Sequence, residues 1–345
     1  MAIQIQWRRD TAANWTSNNP TLAQGEPGFE TDTGAYKVGT GTAAWTSLSY
    51  GVFSTHAIAA LFADQASGND PAAPASGKDI VYAKIIAGRM MLKEEDPSGY
   101  ITEAQPFLGH NKVGYWMPSG TTPLVLPEVF GYTAPNALGT ATAINVATTN
   151  LYTMMRRISY VSASGTAGSY AGQRVAVAQI TTGTGFYKIC RFGISDAALV
   201  SPANMFIGVS STTAAPSGGA DPSTLLNLIG VGHSSTDTNL KIFYGGTNAQ
   251  TPIDLGSSFP INTTNTDAYE LALFCPPGND NNAYYEVTRI NTGTVASGTI
   301  VGDTGGTILP ASNLLLTYGW QWRSNSTSTG PVSLDIMSDY IETDN

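Results

Sequence analysis

Residues 332–342, Val-Ser-Leu-Asp-Ile-Met-Ser-Asp-Tyr-Ile-Glu, place Val332, Leu334 and Ile336 on one side of the chain and Ser333, Asp335 and Met337 on the other. A period of two over such a length is the mark of a strand with one buried face. Just upstream, Leu314, Leu316, Tyr318, Trp320 and Trp322 share one face of a second run, with Thr317, Gln321 and Arg323 opposite. Further β-type runs cover residues 174–180, 186–192, 205–209, 241–244, 269–274 and 284–290. Clusters of Gly, Ser, Thr, Asn and Pro separate them, as at 212–219 and 291–306. One helical turn interrupts the series at 221–226, with Asp221 at its N-cap and Pro222 at the first helical position. From about residue 130 onward the pattern therefore predicts an all-β sandwich or barrel.

Upstream, the chain divides differently. In residues 1–50 the pattern predicts a half-buried strand through Ile3, Ile5 and Trp7, then a helical turn at 11–17 capped by Asp10 and carrying Trp15. Strands at 29–31 and 35–39 flank an Asp32-Thr33-Gly34 bend, and Trp45, Leu48 and Tyr50 close the unit. Its core is thin for independent folding, so oligomerisation is expected. Residues 51–77, rich in Ala, Gly, Ser, Asp and Pro, read as a linker. Residues 78–130 open with a short β-meander, strands at 79–84 and 89–93 about Gly88 and a third at 100–103. It needs neighbours from other subunits, which makes it a prism-like trimerisation region. Residues 131–345 form the C-terminal sandwich.

Composition narrows the function. Only 12% of the 345 residues are charged, about half the roughly 25% of ordinary soluble domains. The surface must be covered by neutral polar side chains, which suits a protein outside cells or one packed against copies of itself. A net charge of -9, with Arg8-Arg9 and Arg156-Arg157 the only adjacent basic pairs, argues against nucleic acid. Cys190 and Cys275 each lie in an apolar run and read as two free thiols. The first nine residues lack the apolar stretch of a secretory signal, and no run reaches the length of a membrane span. Assembly in a cytoplasm, with no membrane insertion, is the expectation.

The first fifty residues resemble the N-terminal module that recurs in fibre, tailspike and tropism-determinant proteins of tailed bacteriophages. The resemblance is carried by Ile5 to Arg9, Trp15, Pro20 with Leu22, Gly25-Glu26 and Glu30-Thr31-Asp32-Thr33-Gly34. It continues through Tyr36-Lys37-Val38-Gly39, Gly41, Trp45, Leu48 and Tyr50. Asp10, Pro27 and Thr40 depart from the usual pattern. Its motif residues here are Arg8, Arg9, Trp15, Glu30, Asp32, Gly34, Lys37, Gly39, Gly41 and Trp45. The meander at 79–103 is similar to a segment common in phage fibres, and the C-terminal half to their jelly-roll or concanavalin-like tips. The resemblance implies a homotrimeric virion fibre, attached to tail, baseplate or head proteins by its N-terminus and facing host surface polysaccharide with its tip.

No catalytic, cofactor or metal constellation stands out. His56, His110 and His233 are scattered, and no metal-ligand spacing, phosphate loop or nucleophile elbow occurs; Ser195 lacks the elbow's glycines. A polysaccharide depolymerase would need two carboxylates. Asp335 and Asp339 come closest, on one strand face, but alternation makes them solvated residues of the outer face. The chain is therefore read as non-enzymatic, either adhering to a glycan or purely structural. Aromatic rings that stack on sugars are the candidate ligand contacts: Tyr115, Trp116, Tyr244, Trp320 and Trp322. For the last two, core packing is the competing reading.

Overall fold

The computed structural model describes residues 7–51, 70–99, 101–103, 112–116, 135–200, 202–278, 282–327 and 330–343. The strand expected through Ile3 and Ile5, most of the linker, His56 and His110 lie outside the described residues. The chain forms two compact units, Met1–Leu61 and Phe62–Asn345.

In the first unit, Arg8–Asp10 (β1) runs parallel to Pro27–Glu30 (β2), which pairs antiparallel with Tyr36–Val38 (β3), and that with Tyr50–Gly51 (β4). The helix Ala12–Asn18 (α1) is capped by Thr11, whose hydroxyl accepts from Asn14 N, rather than by Asp10. Asp10 instead accepts from Thr11 N at 2.8 Å and from the Asn14 amide at 2.7 Å. The core is as thin as expected: Trp15, Leu22, Trp45 and Leu48.

The second unit begins with an antiparallel meander of Ile80–Ile86 (β5), Arg89–Glu95 (β6) and Ile101–Glu103 (β7). Ala87 and Gly88 both take positive φ, 44° and 71°, the two-residue turn whose twist matches the flanking strands. The next elements in chain order are Lys112–Trp116 (β8), Asn136–Leu138 (β9), Thr140–Ile144 (β10), Leu151–Met154 (α2), Arg157–Val161 (β11) and Tyr170–Arg174 (β12). Phe186–Ile194 (β13), Ala203–Ser210 (β14), Leu228–His233 (β15), Lys241–Gly245 (β16) and Ile253–Asp254 (β17) follow. Tyr269–Cys275 (β18), Asn282–Arg289 (β19), Thr294–Val301 (β20), Thr317–Asn325 (β21) and Ser333–Thr343 (β22) complete the chain.

The strands from β8 onward make a two-sheet antiparallel sandwich, so the fold is all-β as read. One sheet has the order β10-β11-β22-β13-β18-β19-β20, with β8 also on β22; the other is β17-β16-β15-β14-β21-β12-β9. The sandwich thus takes in a strand from ahead of residue 131. Inward side chains such as Ile158, Phe192, Ile207, Val231, Leu271 and Leu334 form one continuous core. Cys190 and Cys275 are buried free thiols.

Two bulges decide which side chains reach that core. In β21, Gly208 of β14 faces Trp320 and Ser210 faces Thr317, so β21 carries one residue more over that interval. In β22, Arg191 of β13 faces Ser338 and Phe192 faces Ile336, leaving Met337 in excess. An extra residue reverses the inside–outside alternation beyond it. Tyr318 therefore belongs to the central core, whereas Trp320 and Trp322 project from the sheet's other side. Likewise Asp335 points outward and Asp339 inward, so the expected single face for the two carboxylates is corrected.

The run 174–180 is also shorter as a strand than expected. Val175 N bonds Gly319 O and Ile180 pairs with Leu316, but the residues between them loop out, leaving Val177 exposed.

Candidate functional site

The motif residues of the first unit hold it together. The Trp15 and Trp45 rings stack 4.2 Å apart at 15°. Buried Lys37 donates to Trp45 O at 2.9 Å and lies 4.2 Å from the Tyr50 ring centroid. Glu30, also buried, accepts from the Tyr50 hydroxyl at 2.8 Å and from Thr33. Asp32 accepts from Ala12 N at the start of α1. Gly34 and Gly41 take φ of 71° and 81°, and a Cβ on Gly39 would meet Ala23 O at 2.2 Å. Arg8 packs over Trp15 and reaches Glu26 at 3.6 Å, while Arg9 stays exposed. Most of these side chains are framework, which leaves the exposed rim for any partner.

Three of the five aromatic ligand candidates are corrected. Trp116, Trp320 and Trp322 are only 4%, 2% and 0% exposed and offer no ring face to a sugar. Trp116 points into the central core. Trp320 and Trp322 sit beneath the 211–227 loop, whose Ala215, Ala220 and Leu225 pack on them and whose Ala214 carbonyl accepts from Trp320 Nε1 at 2.9 Å. Tyr244 is half-buried and packs against the central core. Tyr115 alone is well exposed, at 48%.

Tyr115 begins a feature the sequence reading missed. Strand register sets Tyr115 opposite Tyr340, Tyr187 opposite Phe274, and Phe274 opposite Tyr284. Their rings follow one another at centroid spacings of 6.3, 6.4, 6.3 and 6.2 Å, from Tyr115 through Tyr340, Tyr187 and Phe274 to Tyr284. All are within the range of favourable aromatic pairs. The ladder crosses the outer face of the sheet, since the opposite side chains of the same strands fill the central core. The β5–β6 hairpin covers its middle: Ile86, Ala87 and Met91 pack on Tyr187, Ala272 and Phe274. One face of the meander thus finds its partner in the same chain.

At the Tyr284 end, the hairpin turn overhangs an open cleft of about 360 Å³ lined by Gly88, Arg89, Met90, Phe274, Pro276, Pro277 and Tyr284. Gly88 is required there, because a Cβ would stand 2.4 Å from the Tyr284 ring. The Arg89 guanidinium lies 5.6 Å from the Phe274 ring centroid.

The carboxylates weighed for hydrolysis are internal. Asp335 accepts from Arg157 Nε at 2.7 Å, from the Tyr152 hydroxyl at 2.7 Å and from Ser195 at 2.5 Å. Asp339 lies between the sheets, paired with the equally buried Lys188 and accepting from Gln321 Nε2 at 2.5 Å. Burial drives the Asp339 carboxyl upward against the opposing pull of Lys188. A third internal pair, Arg323 with Asp196, is 2.7 Å apart. Among the described residues no group of His, Cys, Asp and Glu is arranged to hold a metal.

His233 shares this interior. Met205 faces both His233 and Arg323 in the sheet, so the imidazole and the guanidinium flank it on the inner side. Its Nδ1 donates to Ser234 O at 3.2 Å. Burial, and secondarily the Arg323 charge, lower its pKa from 6.5 to about 3, with Asp221 opposing. Between those values the unfolded chain binds a proton that the folded chain refuses, so this group's stability is present above pH 6.5 and lost on acidification towards 3. His233→Gln should therefore flatten the stability–pH curve in that window by about 1.4 kcal/mol per pH unit. Urea unfolding of both proteins across the range checks this; parallel curves would refute it.

Comparison with known proteins adds one family. Residues 5–43 match the major tropism determinant N-terminal domain, a phage tail-fibre type of module. Solved structures similar to this chain include a protein of unknown function from Shewanella oneidensis MR-1, at 14% identity, covering 67% of this chain and 85% of that one with a TM-score of 0.42. Peanut lectin with a nine-residue peptide is 14% identical, with 67% and 97% covered and a TM-score of 0.43. A carbohydrate esterase from Shiga toxin-encoding bacteriophage phi24B is 15% identical, with 67% and 97% covered and a TM-score of 0.38. No curated protein matches. Among the described residues no helix is long and apolar enough to cross a membrane.

Proposed function

We propose that this chain is a structural fibre component of a phage particle that attaches through its first unit and adheres to a host surface glycan through its sandwich. The observation that carries the reading is the match of residues 5–43 to the tropism determinant module. The Tyr115–Tyr284 ladder supports the adhesive role, with one exposed ring at one end and an aromatic cleft at the other. Catalysis is not part of the proposal, since Asp335 and Asp339 are held in internal pairs that no polysaccharide reaches. The test is adhesion of the labelled full chain to cells of hosts that the phage infects. Saturable binding competed by purified host polysaccharide supports the reading. Absence of binding on every accepted host would leave a particle protein with no receptor of its own.

The same proposal includes three copies per fibre. On the meander face turned away from the sandwich, Val81, Ile85 and Met90 are 42%, 47% and 47% exposed, with Leu92 half-buried beside them. Burying the exposed half of each such side chain against a second copy contributes about 1 kcal/mol. The full chain should show a light-scattering mass near three times its 36.1 kDa. Ile85→Lys should shift the protein to monomer at micromolar concentration. A wild-type monomer would end the trimer reading, and an Ile85→Lys trimer would remove this face from it.

A further inference from the structure

The ladder ends in a cation that rests on a ring but has no anionic partner among the described residues. Arg89 is half-buried under the β5–β6 turn, and it makes no hydrogen bond or ion pair among the described residues. Its Nε is fully buried and unbonded. Desolvating a guanidinium without acceptors is costly, and an unsatisfied donor at a cleft calls for an explanation. The hairpin does not need the charge for its seat on the sandwich, because Ile86, Ala87 and Met91 provide that. Nor is the charge neutralised by Glu286, the acid two residues from Tyr284. That carboxylate accepts from Ala87 N and feels Lys84 and Lys93, and burial pushes its pKa up.

The remaining lining is apolar and ring-shaped. Tyr284 is half-buried, Pro277 is exposed and Pro276 is half-buried, with Phe274 beneath the guanidinium. Flat apolar surface beside one cation is the chemistry that recognises a pyranose ring bearing an anionic group. A planar guanidinium resting on a ring keeps its edge for a two-pronged bond to a carboxylate. The cleft's volume of about 360 Å³ is at the small end of ligand sites and accommodates one or two sugar residues.

We propose that the cleft under the Ala87-Gly88 turn is a subsite for a carboxylate-bearing sugar, a uronate or sialate unit of a host surface polysaccharide. Arg89 takes the carboxylate, and Tyr284 with Pro276 and Pro277 takes the apolar ring face. This rests on the glycan-adhesion reading above and makes it specific to acidic polysaccharide.

Saturation-transfer NMR on the full chain tests it with two probes, methyl β-glucuronide and its neutral counterpart methyl β-glucoside. Wild type should saturate the glucuronide preferentially, and added salt should weaken that signal. Arg89→Gln should bind the glucuronide about tenfold more weakly and lose the preference. Arg89→Lys should keep part of it, since charge persists while the fork is lost. Circular dichroism of both variants confirms that the half-buried site leaves the fold unchanged. Equal binding of the two probes, glucuronide binding insensitive to Arg89, or no binding of either would overturn the subsite. If the wild type adheres to host cells without Arg89-dependent glucuronide binding, only the subsite falls. Arg89-dependent binding without adhesion to any accepted host removes the receptor role and leaves the subsite standing.

Discussion

Asp339→Leu in the full chain is expected to lose about 3–5 kcal/mol of stability to urea, because it strands the Lys188 ammonium between two sheets with no counter-charge. Neither side chain of this pair reaches solvent. The Lys188 amine also lies 5.8 Å from the Tyr318 ring centroid, a contact far too weak to replace a carboxylate. The double variant Lys188→Met with Asp339→Leu should recover most of the loss, since apolar groups of similar volume substitute well for a buried ion pair. Recovery should stop about 1–3 kcal/mol short, because Gln321 Nε2, which donates to Asp339, would be left unpaired. Adding Gln321→Leu closes that gap. A single Asp339→Leu variant as stable as wild type would mean that the pair is not sealed in the interior, and would return Asp339 to the list of accessible carboxylates.

The same two strands show how far the sequence could be read. Alternation identified β21 and β22 as half-buried strands, and it was right on each side of each bulge. It failed across them, and nothing in Tyr318-Gly319 or Met337-Ser338 marks the extra residue, because a bulge exists only relative to the register of its partner strand. The errors about which face Trp320, Trp322 and Asp339 occupy come from those two points. A sheet's second face is also illegible when a distant loop covers it. The 211–227 segment reads as turns, and only the fold shows Ala215, Ala220 and Leu225 closing over the tryptophans.

Strand β15 was missed for another reason: Gly230 and Gly232 remove side chains from one face and erase the period. Those glycines are needed where they stand, since a Cβ at either would meet a carbonyl of β14 at about 2 Å. Strand β20, with three Thr or Ser residues and a Gly among eight, carries its hydroxyl-rich pattern at a sheet edge and reads as a loop. The aromatic ladder posed the hardest case. Each strand contributes a single outward ring, so no local run of sequence contains it, and only five strands in register bring the rings into line. The first unit lay at the opposite extreme, because its turns, tryptophans and glycines are close in sequence and their spacing alone identified the module.

That compactness makes the first unit fragile, and Trp45→Ala is expected to unfold it. Trp45 is one of four buried apolar residues among those described there, it stacks face to face on Trp15, and its carbonyl holds the Lys37 amine. Its ring also lies flat on Gly28, where a Cβ would stand only 2.6 Å away, so no neighbour can move in to fill the space. Truncating a buried tryptophan to alanine costs about 3–5 kcal/mol, which is all that a core in a unit of this size supplies. Trp45→Phe keeps a ring on Trp15 and should retain the fold with a smaller loss. Native-state hydrogen exchange gives the readout. In Trp45→Ala the amides of Trp15, Asn19 and Glu30, bonded to Thr11, Trp15 and Ala35 carbonyls, should lose their protection, while those of β13 and β22 keep theirs. If the first unit is the attachment module, the variant chain should also fail to enter particles. Protected amides throughout the first unit of Trp45→Ala would show that its stability comes from partners outside the four-residue core, and the place to look for them would be the exposed rim at Arg9.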